Sequence, residues 1–244
     1  MTARGAHHLR PRSDQTDHPT RWLLHRGRPA SRWLIRRRYD VEVLHPERFP
    51  ATGPVVVAAN HIGVIDGPLM AIFAPRPVHA WTKTEMFAGP LGGFLHLSGQ
   101  IPLQREVTDP RAVRIALRVL RDGGAVGVFP EGTRGDGELR SFRRGAAYLA
   151  LVAGAPVVPM TFLGTRAPGA SSGSLPPRGS RLQLVIGHPV DLGAAPWPRT
   201  REQVGAARTL LQRRMREDLA AALDETGRHL PGPLPAADPE KEMR

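Results

Sequence analysis

The sequence contains no cysteine, and this absence removes several kinds of chemistry at once. Disulfide bonds, thiolate zinc sites, cysteine nucleophiles and acyl-cysteine intermediates all need a thiol. Aromatic residues make up only 5% of the chain, lysine occurs only at Lys83 and Lys241, and Asn60 is the sole asparagine. In a chain so poor in these residue types, Asn60 and Lys83 are candidates for a chemical role.

No stretch of the sequence is apolar for long enough to cross a membrane. The longest apolar stretches, near residues 54–75 and 145–163, are interrupted by polar residues in the first case and by prolines in the second. A spanning helix needs roughly 20 consecutive apolar residues. The first residues also lack the apolar core and small-residue cleavage site of a signal peptide. We therefore predict a protein without a transmembrane span.

Acidic residues are outnumbered, with 22 Asp and Glu against 34 Lys and Arg, so the net charge is +12. Residues 1–48 hold eleven arginines and only five acidic residues. This excess predicts an anionic partner, which could be nucleic acid, a phosphorylated small molecule or an anionic lipid surface. Nucleic acid is the weaker interpretation, because the basic residues are spread out and no recognition motif occurs. We predict a cytoplasmic protein held peripherally at the inner face of the cell membrane.

Composition divides the chain into four parts. Residues 1–19 are polar and aperiodic, which predicts a disordered tail. Residues 20–38 carry Trp, Leu and Ile among arginines, a pattern typical of a basic amphipathic segment at a membrane interface. A basic helix packed on the domain, with its charged face in solvent, is the alternative interpretation. The main domain is predicted over 39–228, and the Pro-rich residues 229–244 are predicted to form a second disordered tail.

Short apolar runs alternate with helical stretches from residue 40 onward. This alternation predicts an α/β fold, with a single mixed, largely parallel sheet flanked by helices and preceded by a short basic helical segment. The predicted strands are 40–44, 54–59, 77–81, 100–103, 125–129, 156–161 and 181–187. The predicted helices are 66–74, 84–97, 108–122, 143–153 and 201–226.

His61 and Asp66 form a polar pair where the apolar run VVVAA ends. Their spacing of five residues would place them on different faces of a continuous helix. They can meet only if the chain turns, and Gly63 permits that turn. Asp66 could then orient the imidazole as a general base, in the crevice at the carboxyl end of the sheet. Alternatively, Asp66 is only a helix cap and His61 a surface loop residue.

Polar residues follow three further predicted strands. The run AVGVF leads into Glu131, Gly132, Thr133 and Arg134, while Lys83 and Arg105 each follow a short strand. An Arg side chain suits phosphate, because its fork donates paired charge-assisted hydrogen bonds. Each of these residues alone could equally belong to an ordinary polar surface. If the strands are parallel, all of them reach one edge of the sheet.

Four blocks follow one another in a specific order and spacing. They are NHIGVID (60–66), GQIPLQR (99–105), FPEGTR (129–134) and APVVPM (155–160). The first block contains the HX4D motif, and FPEGTR follows about seventy residues later. With these blocks the chain resembles the glycerophospholipid acyltransferase family, of the lysophosphatidic acid acyltransferase (PlsC-like) type. The resemblance extends over about residues 40–190.

The resemblance implies an O-acyltransferase of phospholipid biosynthesis. The expected donor is acyl-CoA or acyl carrier protein, and the expected acceptor is a lysophospholipid. Within the family we predict 1-acylglycerol 3-phosphate as acceptor, giving phosphatidic acid, with another lipid alcohol as the alternative. The resemblance implies direct transfer, so we expect no cofactor and no metal. The remaining expected partner is an anionic membrane surface, and nucleic acid is not expected.

The resemblance also assigns roles to individual residues. His61 is implied to be the general base, and Asp66 is implied to orient it. The amide of Asn60 is expected to help hold the turn, and Pro159 to lie in a structural or acyl-donor segment. The acceptor phosphate is implied to bind Lys83, Arg105 and Arg134, in a site shaped by Glu131, Gly132 and Thr133.

A serine esterase is a rival hypothesis. Residues 169–173 (GASSG) match the G-x-S-x-G nucleophile pattern around Ser171, and Asp191 and His229 follow in the order of a hydrolase triad. Such a serine needs a strand before it and a helix after it. Here prolines flank the motif inside a Gly/Ser/Pro-rich loop, so the sequence favours the acyltransferase over the esterase.

Overall fold

The computed structural model describes residues 13–241. The first twelve residues of the tail predicted at 1–19 therefore lie outside the described residues, as do the last three of the tail predicted at 229–244. The described helices are α1 (Trp22–Arg26), α2 (Arg28–Arg36), α3 (Asp66–Phe73), α4 (Gly89–Leu97), α5 (Pro110–Arg121), α6 (Gly145–Ala153) and α7 (Arg201–Thr226). Short 3-10 helices cover Pro46–Arg48 and Thr84–Phe87.

The strands form one mixed sheet of seven. They are β1 (Asp40–Leu44), β2 (Val55–Ala59), β3 (Val78–Lys83), β4 (Ile101–Leu103), β5 (Ala125–Val128), β6 (Val157–Leu163) and β7 (Arg181–Ile186). Their order across the sheet is β1-β7-β6-β2-β5-β3-β4. Every neighbouring pair is parallel except β6 and β7. This arrangement confirms the predicted fold class.

Strand β2 lies at the centre of the sheet and is buried on both faces. Every one of its side chains is fully buried, as expected for a parallel strand covered by helices on both sides. Because successive strand residues point to opposite faces, Val56 and Ala58 pack in the cluster that contains α5, α6 and α7. Val55 and Val57 pack in the other cluster, with α3 and the outer strands. The core thus fixes β2 and the loop that follows it.

The predicted helix at 84–97 is wrong over its first residues. A 3-10 turn covers Thr84–Phe87, and α4 begins only at Gly89. Gly89 has a left-handed φ of 63°, and Pro90 in the first turn of α4 lacks an N–H for a continuous helix. Strand β3 also continues to Lys83, beyond its predicted end.

The basic N-terminal segment folds into two short helices separated at Gly27. Arg28 and Arg32 donate hydrogen bonds to the carbonyls of Ile72 and Ala74 at the end of α3, so α2 is packed on the domain. The opposite side carries large exposed apolar side chains, Trp22, Trp33 and Leu34. The membrane-interface role and the boundaries predicted at 20, 39 and 229 stay predictions. Over residues 13–241, no helix combines the length and apolar character needed to span a bilayer.

The chain returns to the sheet edge after α7. Residues 228–241 contain no helix or strand, yet they bury Leu234, Asp238 and Glu240 against the domain. The tail predicted to be disordered thus makes defined contacts over its described part, and its disorder stays a prediction. These contacts bring the acidic side chain of Glu240 to Lys83 and Arg134.

Candidate active site

The predicted site residues gather because four adjacent strands run in the same direction. Strands β2, β5, β3 and β4 are neighbours and all parallel. His61 follows β2, Glu131 and Arg134 follow β5, Lys83 ends β3 and Arg105 follows β4. The carboxyl ends of parallel strands open on one edge, where α/β sheets bind ligands. The structure therefore places these side chains around one crevice.

His61 and Asp66 meet in the structure, because the chain turns between them as the first interpretation of the pair required. The two lie 2.9 Å apart, from His61 Nδ1 to Asp66 Oδ2. Asp66 is fully buried and is the first residue of α3, so the chain folds back on itself between the two residues. A carboxylate that accepts from Nδ1 favours the tautomer in which Nε2 carries the lone pair. The contact therefore fixes the orientation of the His61 ring.

The Asp66 carboxylate organises the histidine loop. Besides His61, Asp66 Oδ2 accepts from the backbone N–H of Ile62 at 2.7 Å and of Gly63 at 2.9 Å. The capping position of α3 is Ile65, and Asp66 makes no capping hydrogen bond to the helix, so the helix-cap alternative is not what the structure shows. A Cβ on Gly63 would lie 2.4 Å from the Thr165 carbonyl oxygen, so the loop needs glycine there.

Two residues from the β5 end hold His61 in place. The backbone N–H of His61 donates to Glu131 Oε1 at 2.9 Å. The imidazole stacks on the ring of Phe129, with centroids 4.0 Å apart and planes 19° from parallel. Glu131 is itself buried. Backbone, ring face and Nδ1 of the histidine are thus all constrained.

Asn60 ties the end of β2 to β6. Its Nδ2 donates to the carbonyl of Phe162 at 3.2 Å, and its Oδ1 accepts from the Phe162 N–H at 2.7 Å. The side chain is buried, so an amide here satisfies a backbone donor and acceptor that would otherwise be unpaired. It braces the strand that carries His61, and its supporting role in the turn stays a prediction.

Lys83 and Arg134 converge on one carboxylate. Lys83 Nζ and Arg134 Nη2 both bind Glu240 Oε1, the latter at 2.6 Å. Arg134 also donates to the Ser172 carbonyl at 3.2 Å. Burial raises the pKa of Glu240, but the hydrogen bonds from Lys83 and Arg134 outweigh that effect, so its pKa is lowered. The two cations form an anion site.

Arg105 and Gly132 form the neighbouring wall. Arg105 Nη1 donates to the Gly132 carbonyl at 2.6 Å. Gly132 has a left-handed φ of 78°, and a Cβ there would lie 2.4 Å from Arg143 Nε, so only glycine leaves room for that guanidinium. Thr133 is buried beside them. Arg143, whose Nη1 donates to the Arg105 carbonyl at 2.8 Å, is a cation that the sequence analysis did not single out.

A cavity of about 1500 Å³ opens at this edge of the sheet. Among the predicted residues, His61, Lys83, Arg105, Gly132 and Arg134 line it. Asn60, Asp66, Glu131 and Thr133 do not, and lie buried behind those that do. Apolar side chains from α1, α3, α4 and α5 complete the wall, among them Leu24, Ile72, Leu91, Phe94, Leu95 and Val113. The cavity therefore joins the His61 imidazole, a cationic corner and a large apolar surface.

Arg166 was also missed by the sequence analysis. It is almost fully buried and donates to the carbonyls of Ile62, Gly135, Ala170 and Gly232. It thereby connects the histidine loop to three other segments. Pro159, predicted in a structural or acyl-donor segment, lies in β6 paired with Ala58. A basic residue after an apolar strand is the only local signal that could have marked Arg166.

The esterase hypothesis lacks its structural context. Ser171 lies in a turn between β6 and β7, where its carbonyl accepts from Ser174 N–H, and neither a strand nor a helix adjoins it. A nucleophile elbow requires both. Within residues 13–241, no three His, Asp or Glu side chains are grouped so that they could hold a metal ion.

The known family and the solved structure that this chain resembles are both acyltransferases. The model of a family described as Acyltransferase matches residues 40–163, which is just over half of the chain. A crystal structure of the 1-acyl-sn-glycerophosphate (LPA) acyltransferase PlsC from Thermotoga maritima superimposes with a TM-score of 0.58 and 26% identity. The similarity covers 84% of this chain and 78% of that one.

Curated relatives show the same similarity at the sequence level. A 1-acyl-sn-glycerol-3-phosphate acyltransferase of Bacillus subtilis (strain 168) is 28% identical over 190 residues, which is 77% of this chain and 92% of the relative. The human 1-acyl-sn-glycerol-3-phosphate acyltransferase beta is 33% identical over 155 residues, 57% of this chain. The chain spans only 56% of that human protein.

Proposed function

The chain belongs to the acyltransferase family, and from this membership we propose that it transfers a fatty acyl group to the free hydroxyl of 1-acylglycerol 3-phosphate. The product would be phosphatidic acid. Support for this acceptor comes from the names of the relatives in Bacillus and human, which specify the same substrate. We propose acyl-CoA or acyl carrier protein as the donor, bound as a second substrate.

One observation carries the proposal: the oriented His61–Asp66 pair lines a cavity that also contains a cationic corner and an apolar wall. A lysophospholipid has the three matching parts, namely a hydroxyl, a phosphate and an acyl chain. Lys83 and Arg134 already bind an oxyanion in this structure, so their spacing suits an anionic group. We propose that they bind the acceptor phosphate together with Arg105, whose side chain lines the same cavity.

The proposed reaction needs no covalent enzyme intermediate. His61 Nε2 takes the proton of the acceptor hydroxyl as that oxygen attacks the thioester carbonyl carbon. The tetrahedral intermediate then collapses, the C–S bond breaks, and the thiolate leaves with the proton from the imidazolium. Asp66 stabilises that imidazolium while the positive charge is present. The imidazole and the substrate hydroxyl supply base and nucleophile, so we propose that no metal or cofactor takes part.

The remaining predicted residues support the groups that take part in this step. Glu131 holds the His61 backbone, while Gly132 leaves room for Arg143 and accepts from Arg105 through its carbonyl. Thr133 is buried. We propose that these three shape the acceptor site indirectly. They would hold the base within hydrogen-bond reach of the hydroxyl. Such preorganisation accounts for much of the rate enhancement in a two-substrate reaction.

We further propose that the enzyme works as a peripheral protein at the inner face of the cell membrane. Helices α1 and α4 line the cavity with Leu24 and Leu95, and both also carry exposed apolar side chains outside the cavity lining, among them Trp22 and Leu97. A lipid substrate could therefore pass from an interface into the site along one apolar surface. Clustered arginines add attraction to anionic lipids, worth about 1 kcal/mol for each residue close to the surface.

The test is an acceptor panel with radiolabelled acyl-CoA. We expect the His61→Ala variant to lower kcat for 1-acylglycerol 3-phosphate by about 10²- to 10⁴-fold, because general base catalysis is lost. We expect Arg134→Ala to raise KM for that acceptor by about tenfold, the effect of losing one charge-assisted contact, and to leave a monoacylglycerol without phosphate unaffected.

Arg140→Ala is the matched control for the lost charge. Arg140 is an exposed arginine paired with Glu138, away from the cavity lining. It should leave both kinetic constants unchanged. Near-normal transfer by His61→Ala would exclude the proposed base, and a preference of the wild type for the unphosphorylated acceptor would exclude the phosphate role of Arg134.

A further inference from the structure

The residues after α7 bring a carboxylate of the chain itself into the cationic corner. Glu240 is only 2% exposed, and its Oε1 accepts from both Lys83 and Arg134. These are the two cations proposed above to bind the acceptor phosphate. The Glu240 carboxylate and the acceptor phosphate, which are both negatively charged, thus compete for the same hydrogen-bond donors.

The segment that carries Glu240 is fixed by a second acidic residue. Asp238 Oδ2 accepts from the backbone N–H of Ser172 at 2.6 Å, and its Oδ1 accepts from the Ser172 hydroxyl at 2.8 Å. Asp238 Oδ1 also accepts from the N–H of Glu240 at 3.0 Å. These bonds form a hook, defined here as residues 238–240, which orients the Glu240 carboxylate toward Lys83 and Arg134.

The Glu240 carboxylate of the hook is only partly hydrogen-bonded. Glu240 Oε2 is buried and has no hydrogen-bond partner among the described residues. A buried carboxylate oxygen without a donor costs free energy that a better ligand would recover. A phosphate dianion offers three oxygens and a larger charge to the same cations. The carboxylate is therefore a ligand that phosphate can displace.

We propose that Glu240 is an intramolecular ligand of the acceptor site, and that the enzyme binds its phosphorylated acceptor only when residues 238–240 withdraw. The proposal rests on the proposed function, because it assumes that Lys83 and Arg134 donate hydrogen bonds to the acceptor phosphate. The hook lowers the fraction of molecules whose site is free. The apparent dissociation constant of the acceptor is the intrinsic one divided by that fraction.

The first experiment compares Glu240→Gln with Glu217→Gln. Both remove one negative charge, but Glu217 is an exposed residue of α7 that pairs with Arg213 and Arg214. We expect Glu240→Gln to lower KM for 1-acylglycerol 3-phosphate about tenfold, with kcat within about twofold of the wild type, because the amide loses a charge-assisted pairing. Glu217→Gln should change neither constant.

A second experiment separates this proposal from the proposed function. In a His61→Ala background, binding of glycerol 3-phosphate can be measured by calorimetry without turnover. Glu240→Gln should tighten that binding about tenfold, and it should do so even if no acyl transfer to any lipid is detected. Asp238→Asn, which weakens the hook but keeps both cations and Glu240, should change the affinity in the same direction.

Three outcomes would overturn the proposal. The first is a Glu240→Gln variant that stays folded but has an unchanged or raised KM. The second is glycerol 3-phosphate affinity that does not change in either hook variant. The third is unchanged hydrogen exchange at the backbone amides of Ser172 and Glu240 when glycerol 3-phosphate is added to the wild type. The proposal predicts faster exchange at both, since both N–H groups donate to Asp238.

Discussion

At the scale of single residues, one carboxylate oxygen of Asp66 holds both the histidine loop and the His61 ring in place. Asp66 Oδ2 accepts from a ring nitrogen and two consecutive backbone N–H groups, all within 2.9 Å. The loop geometry and the orientation of the His61 ring therefore depend on the same atom.

We expect Asp66→Asn to lower kcat by about 10²- to 10⁴-fold while KM stays within about threefold. The asparagine carbonyl can still accept from the loop N–H groups, but it lacks the charge that stabilises the imidazolium. Steady-state kinetics with 1-acylglycerol 3-phosphate measures the change. The effects of substituting residues that act as a unit are not additive. The Asp66→Asn, His61→Ala double variant should therefore be no slower than His61→Ala alone. An Asp66→Asn enzyme with normal kcat would contradict this role.

The residue-scale contacts differ in how far the sequence could predict them. The His61–Asp66 contact joins residues five apart, and a strand end followed by glycine and a helix start is a local pattern. The contact between Lys83 and Glu240 joins residues 157 apart, and Arg134 and Glu240 are 106 apart. No periodicity links positions so distant. Arg166 donates to four backbone carbonyls, and a carbonyl occurs at every position of the chain, so the sequence does not mark these four partners.

At the scale of elements, the N-terminal helices have structural features that fit both of the alternatives offered by the sequence. The arginines of α2 bind the carbonyls at the end of α3, while Trp33 and Leu34 of the same helix remain exposed, at 60% and 64%. Packing on the domain accounts for the basic side. It does not account for the exposed tryptophans, which an anionic lipid interface would bury.

We expect Trp22→Ala with Trp33→Ala to weaken binding to vesicles that contain anionic lipid by about tenfold or more, because two large apolar side chains leave the interface. Co-sedimentation measures the bound fraction. Trp197→Ala is the control, since Trp197 is exposed but lies far along the chain from this segment. The binding of the wild type should also fall with added salt. Unchanged sedimentation of the double variant would contradict the interface role.

Most elements were predictable because each carries its own signal. The bounds of β1 and α7 are those predicted from the sequence, and in the structure a capping box at Thr200 begins α7. The error at 84–97 arose because apolar spacing continues through the 3-10 turn, and only the backbone of Gly89 breaks it. Which strands are neighbours is set by packing of the whole core, and the sequence pattern alone did not order them.

At the scale of the whole molecule, a buried histidine couples the fold to pH. His79 in β3 is 3% exposed, and its Nδ1 donates to the Gly99 carbonyl at 2.7 Å. Burial, above all, lowers the pKa of His79 from 6.5 to about 4, although the hydrogen bond to Gly99 opposes the shift. Above pH 6.5 the ring is neutral in both the folded and the unfolded chain. Between that pH and about 4, only the unfolded chain takes up the proton, so stability falls as pH falls.

We expect the free energy of unfolding to drop by about 2 kcal/mol through His79 when the pH is lowered from 7 to 5. His79→Asn keeps a donor for the Gly99 carbonyl but has no titrating group, so it should lose less stability over the same interval. Urea denaturation at the two pH values measures both. His229→Asn, at an exposed position, is the control. Equal losses in the wild type and His79→Asn would contradict the assignment.

The pairing of β1 with β7 has a consequence for how the sheet is completed. Residues 40–44 lie beside residues 181–185, although β1 is the first and β7 the last of the strands described over residues 13–241. During synthesis β1 therefore stays without its neighbour until residues 181–185 have left the ribosome. Closing so long a loop is slow compared with forming local hairpins or helices. The early strands β2 to β5 can assemble the crevice first, and the edge of the sheet joins them last.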